Sequence, residues 1–147
     1  MPLKTPYRAE AAMCFQQLKS VNEVYKNTID QILAAVNSEM PFREKLDQAV
    51  NVHIDNVEDP SDTNLIKKKS AKEEDTYLCC FFDIIEGVFA VESETIVNSS
   101  FGGEQKKHAM DRMIRILNDV PLGGPRWNHN TQPRILRRLM DMKRQVH

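Results

Sequence analysis

Apolar residues recur along most of this chain at three- and four-residue spacing, the period of an amphipathic α-helix. The pattern begins after Thr5 and Pro6, which resemble a helix start, and continues to about residue 36. A second stretch with the same period begins near Pro41 and reaches Val57. We therefore predict two helices in the first third of the chain, the first of them long for a globular protein.

The most apolar segment is residues 77–91, YLCCFFDIIEGVFAV, which only Asp83, Glu86 and Gly87 interrupt. It is too short to span a bilayer, which takes about 20 apolar residues, so other elements must cover it. Phe, Tyr, Ile and Val also favour strands, and two buried strands are the alternative. Because the run is too long for a typical single strand, we predict a central buried helix at about residues 76–92.

Two further helices are predicted in the last third of the chain. One ends near Val120, and the other has Pro133 near its start and an apolar stripe of Ile135, Leu136, Leu139 and Met142. Residues 58–69 are charged and interrupted by Ser and Pro, which predicts a flexible loop. A second loop, which contains Pro and Gly, is predicted at residues 121–132. The prediction is an all-α fold, a single domain over residues 1–147 with about five helices in a compact bundle around the central one.

The cysteine content and the N-terminal residues indicate the cellular compartment. The chain has 147 residues and three cysteines, an odd number that does not make a disulfide framework. The N-terminus lacks the apolar region of a secretory signal, so we expect an intracellular protein, cytoplasmic or nuclear, with reduced thiols and no membrane association. Two of the cysteines lie in the apolar run, which predicts buried and unreactive thiols.

Charge is strongly segregated along the chain, although the formal net charge is only −1. Residues 1–100 carry a net charge of −7 and residues 101–147 a net charge of +6. Segregated charge orients association with a complementary partner, and Trp and Arg are enriched among binding hot spots. We therefore predict a non-catalytic interaction module, an adaptor or complex subunit, that binds another protein with an acidic or mixed surface. The predicted partner-binding residues are Arg126, Trp127, Arg134, Arg137, Arg138, Lys143 and Arg144.

Three other interpretations of the sequence remain open. The basic last helix could bind nucleic acid, and the two charged halves could pair in a homodimer. His108 shares a helix face with Glu104 and Asp111, a spacing that could serve an enzyme or a metal site. No HExxH motif or other ligand spacing accompanies them, so we expect neither a metal nor a cofactor.

The methionines of the C-terminal part have two interpretations. Flexible thioethers fill gaps in a core, but they also suit grooves that accept partner helices. Core filling is the favoured interpretation for all four, Met110, Met113, Met140 and Met142.

Overall fold

A computed structural model describes residue 3 and residues 5–21, 23–58 and 71–146 of the chain. Helices make up 83% of the structure, and the described residues contain no strand, which confirms the predicted all-α bundle. The chain divides into two compact units, Met1–Gly87 (unit 1) and Val88–His147 (unit 2). A single domain over residues 1–147 stays a prediction, whose test is whether the two units unfold together.

Six α-helices lie within the described ranges, against about five predicted. They are α1 (Ala9–Val21), α2 (Glu23–Val36), α3 (Phe42–His53), α4 (Ala71–Val97), α5 (Gly103–Asp119) and α6 (Gln132–Gln145). Helices α1 and α2 both lie in the first amphipathic stretch, on either side of residue 22. That residue falls outside the described ranges, as does nearly all of the loop predicted at residues 58–69. Residue 58 itself ends a π-helical turn, Ile54–Glu58, that follows α3.

Helix α4 is the predicted buried helix. Every residue from 80 to 90 is buried, including the carboxylates Asp83 and Glu86. A helix that is covered on all sides is the arrangement expected for a run without a polar face. Lys106 Nζ of α5 donates to the carbonyl oxygen of Val97 at 2.7 Å, so a cation satisfies a free carbonyl in the last turn of α4.

The core of unit 1 contains a stack of aromatic side chains from three helices. Tyr25 of α2 stacks on Tyr77 of α4 with ring centroids 4.6 Å apart. His53 of α3 stacks on Phe81 of α4 at 4.2 Å, and its Nδ1 shares a hydrogen bond of 2.6 Å with Tyr77 Oη. Buried polar atoms that are paired in this way avoid the cost of lost hydration. The stack therefore joins α2, α3 and α4 in one core.

The three interruptions of the apolar run form one face of α4, which the N-terminal segment (residues 3 and 5–8) covers. Asp83 Oδ2 accepts a hydrogen bond of 2.8 Å from the backbone N–H of Tyr7. Glu86 Oε1 accepts one of 3.4 Å from Arg8 Nη1. A Cβ on Gly87 would lie 2.6 Å from Leu3 Cδ1, so glycine leaves the room that Leu3 occupies.

The contact at Asp83 lies close to the start of α1. The first N–H groups of a helix have no partner within it, and a carboxylate near that end interacts favourably with the helix dipole. Tyr7 lies two residues before the first residue of α1, and its N–H bonds to Asp83 rather than to a neighbouring side chain. A residue of α4 thus holds the backbone segment that leads into α1.

Stability is expected to depend on the protonation of Asp83. Burial, opposed by hydrogen bonds from the Tyr7 and Arg8 backbone, raises the pKa of Asp83 from 3.8 to about 6. The folded state therefore binds more protons than the unfolded state between pH 4 and 6, so stability falls as pH rises through this range. Since one pKa unit is worth about 1.4 kcal/mol, we expect a loss on the order of 1–3 kcal/mol.

The matched control is Asp83→Asn, which keeps an acceptor oxygen for the Tyr7 N–H but does not titrate. Thermal melts of both proteins at steps from pH 4 to 6 isolate the contribution of Asp83 from that of the other carboxylates. If the difference in stability between the two proteins is constant over this range, the carboxyl does not titrate there.

The second predicted loop, residues 121–132, is helical over more than half of its length. The irregular backbone ends at Gly124, whose φ of 93° lies in the left-handed region that favours glycine. The N–H of Asn128 donates to the carbonyl oxygen of Gly124 at 2.9 Å. A π-helical turn, Trp127–Thr131, then leads directly into α6. This turn and α6 belong to unit 2, whose fully buried side chains include Met110, Met113, Leu117, Trp127, Ile135 and Leu139.

Candidate interaction surface

Helix α6 carries apolar residues on two faces. Ile135 and Leu139 are buried, four residues apart, and form the inward face. Pro133, Leu136 and Met140 follow each other at three- and four-residue steps on another face. Such a spacing gives a continuous stripe along a helix. The second stripe is accessible, since Met140 is 48% exposed.

The accessible stripe lines a groove formed by two adjoining clefts, which we call the α6 groove. The first cleft encloses about 450 Å³ at the C-terminal end of α6, and the second encloses about 320 Å³ along the middle of the same helix. The clefts share Met140 and Arg144. The residues that line one or both are Lys107, Ile114, Pro133, Leu136, Arg137, Met140, Asp141, Lys143, Arg144 and Val146.

The charged side chains of the α6 groove are mostly basic. Lys143 Nζ lies 2.6 Å from Asp111 Oδ1 of α5, and Arg144 pairs with Asp141 within α6. Within the described ranges, neither Lys107 nor Arg137 has an ion-pair partner. Two cations are thus held in place by local carboxylates, and two more extend from the groove without compensation. The result is an apolar floor with a positively charged rim.

The structure brings together three of the seven predicted partner-binding residues, Arg137, Lys143 and Arg144, at the α6 groove. Arg134 is exposed and Arg126 partly exposed, but neither is among the residues that line the α6 groove. Arg138 Nη2 forms an ion pair of 2.8 Å with Glu94 of α4, so it is committed to a contact within unit 2.

The burial of Trp127 gives no support to its predicted place on the binding surface. Its side chain is only 1% exposed, and it lies in the core of unit 2 at the π-helical turn before α6. Full burial of a large aromatic side chain stabilises the fold but leaves nothing for a partner to contact. The sequence could not distinguish a buried tryptophan from an exposed one, because a loop was expected there.

Several groove residues were not predicted from the sequence as parts of a site. Ile114 of α5 lines the groove, as does Leu136, which was assigned to the same apolar stripe as Ile135 and Leu139. Met140 was interpreted as core and is the most exposed methionine of the C-terminal part. The available signal was the presence of two apolar stripes on α6, since a helix packed on one side needs only one.

The alternative centred on His108 gains no support from the geometry. Glu104 and His108 are exposed, and Asp111 is engaged by Lys143. Among the described residues, no group of three or more His, Cys, Asp and Glu side chains could hold a metal ion. Of these three residues, Asp111 pairs with the neighbouring helix α6.

The Cys80 thiol is buried. Burial, with smaller contributions from the nearby Cys79, Cys14 and Asp83, raises the pKa of the Cys80 thiol well above its usual range. A thiol with a raised pKa carries little thiolate at neutral pH, and the thiolate is the nucleophile. The prediction of a buried thiol is therefore confirmed for Cys80, whereas Cys79 and Cys14 are only partly buried.

No family model, curated protein or solved structure matches this chain. Among the described residues, no helix is both long enough and apolar enough to cross a membrane. Inference about function therefore depends on the surfaces of the two units.

Proposed function

We propose that this chain is a non-catalytic helical interaction module, an adaptor or a subunit of a larger complex, that binds another protein through the α6 groove. The observation that carries the proposal is an accessible apolar stripe, Pro133–Leu136–Met140, bordered by basic side chains. Exposed apolar surface with a polar rim is typical of protein–protein interfaces, and Met and Arg are enriched in them.

Nucleic-acid binding by the basic segment is the competing function. Phosphate binding depends on several cations that are available at once. Three basic side chains of α6 already pair with carboxylates: Arg138 with Glu94, Lys143 with Asp111 and Arg144 with Asp141. The apolar floor also has no role in contacts to a phosphate backbone. Both observations favour a protein partner.

The proposal predicts that Met140→Glu abolishes partner binding without unfolding the chain. A carboxylate in the apolar floor must lose hydration when a partner covers it, which weakens binding. Because Met140 is half exposed, the variant should fold normally. We expect partner recovery from nuclease-treated cell extract to fall at least about tenfold, the equivalent of about 1.4 kcal/mol.

The chain offers a matched control in Met13→Glu, the same substitution at a methionine of α1 that is 68% exposed. This variant should recover the partner as the wild type does, and thermal melts should show that both variants are folded. Equal recovery by all three proteins would place the functional surface elsewhere. Recovery that disappears with nuclease would indicate nucleic acid.

A further inference from the structure

We infer that the occupant of the α6 groove is an acidic amphipathic α-helix of another protein, lying along α6. This inference rests on the proposed function and adds the chemical class of the partner. Three properties of the groove support it: the length of the groove, the spacing of its apolar residues and the positive charge of its rim.

The length of the groove fits a short helix. The residues of α6 that line it extend from Pro133 to Arg144, and Val146 follows the end of the helix. At 1.5 Å per residue the distance from Pro133 to Arg144 is about 17 Å, which about three helical turns of a partner would cover. A helix docks in such a groove through apolar anchors at i, i+3 or i+4 and i+7. Such anchors would meet an apolar floor formed by Ile114, Pro133, Leu136, Met140 and Val146.

The apolar floor of the groove can change shape at Met140. Met140 lines both clefts, and its unbranched thioether side chain can move to fit anchors of different shapes. Methionine is common on surfaces that accept helical ligands for this reason. Ile114, which belongs to the first cleft, comes from α5, so the end of the groove near Val146 is bordered by a second helix.

The rim determines the charge of the partner. Lys107 and Arg137 have no carboxylate partner within the described ranges, whereas the acidic groups near the groove, Asp111 and Asp141, are already paired. Carboxylates beside the apolar anchors of a partner helix would compensate these two cations. Charge complementarity of this kind favours the correct partner and speeds its association.

The experiment uses the full chain and a synthetic peptide of about 14 residues, held helical by a side-chain cross-link, with leucines on one face and glutamates elsewhere. Its comparison peptide keeps the leucines and the cross-link but replaces each glutamate with lysine. Fluorescence anisotropy of the labelled peptides measures both affinities. We expect the acidic peptide to bind at least about tenfold more tightly than the basic one.

Two variants locate the binding site. Met140→Glu should lower the affinity for the acidic peptide at least about tenfold, whereas Met13→Glu should leave that affinity unchanged. Lys107→Glu combined with Arg137→Glu should abolish the preference for the acidic peptide, because it reverses the charge of the rim. Retention of the preference in that double variant would overturn the inference.

Other outcomes separate this inference from the proposed function. Equal affinity for both peptides, tighter binding of the basic one or no saturable binding of either would overturn the acidic helix as occupant. In such a case, if Met140→Glu still fails to recover a protein that the wild type recovers from nuclease-treated extract, that result would support the proposed interaction function, with a different kind of partner. If Met140→Glu has no effect on extract recovery, the proposed function itself fails.

Discussion

Replacing Phe81 with alanine is expected to lower the free energy of unfolding by about 3–5 kcal/mol, a large part of the stability of a typical domain. Phe81 has no exposed surface, and its ring stacks on His53 within the aromatic stack that joins α2, α3 and α4. Alanine would leave a cavity that rings held by several helices cannot readily fill. Denaturant titration followed by circular dichroism measures the loss.

The control for this substitution is Phe101→Ala. Phe101 is 53% exposed, so its removal should change stability by less than about 0.5 kcal/mol. If Phe81→Ala unfolds at the same denaturant concentration as the wild type, the stack does not support unit 1 and the assignment of α4 as a buried helix fails.

The same titration tests whether the two units form one cooperative domain. The single tryptophan, Trp127, lies in unit 2, whereas Phe81 lies in unit 1. Tryptophan fluorescence therefore reports on unit 2 alone, and circular dichroism reports on all the helices. The single-domain prediction requires Phe81→Ala to shift both transitions equally. A shift in the dichroism without a shift in the fluorescence would show that the units unfold independently.

The sequence predicted α4 because the apolar run of residues 77–91 is a strong and local signal. A segment of 15 residues with three interruptions has few ways to be folded, and all of residues 80–90 are buried. The contacts that the three interrupting residues make could not be predicted. Asp83, Glu86 and Gly87 are explained by contacts with residues more than 75 positions earlier in the chain. Nothing in the spacing of either segment specifies such a long-range pairing.

The candidate site was predicted in its general place but not in its composition. The charge asymmetry pointed to α6, and Arg137, Lys143 and Arg144 do border the groove. The apolar floor was missed because Leu136, Met140 and Ile114 match a buried helix pattern as well as an exposed one. Which apolar residues are covered depends on how α5 and α6 pack, and periodicity does not fix that packing.

Replacing Trp127 with alanine is expected to destabilise unit 2 by about 3–5 kcal/mol, rather than to act on partner binding directly. The side chain is 1% exposed in the π-helical turn that precedes α6. Its removal would leave a large cavity at the point where the irregular segment after α5 becomes helical. Because the variant has no tryptophan, circular dichroism is the measure of its unfolding.

Trp127→Phe separates the two roles that this residue could have. Phenylalanine retains most of the buried apolar surface, so this variant should lose much less stability than Trp127→Ala. It should also recover the partner normally at a temperature where it is folded, since a buried side chain does not touch the partner. If Trp127→Phe instead keeps full stability and loses the partner, Trp127 is a binding residue after all. Such a result would move the interaction surface from the α6 groove to the turn before it.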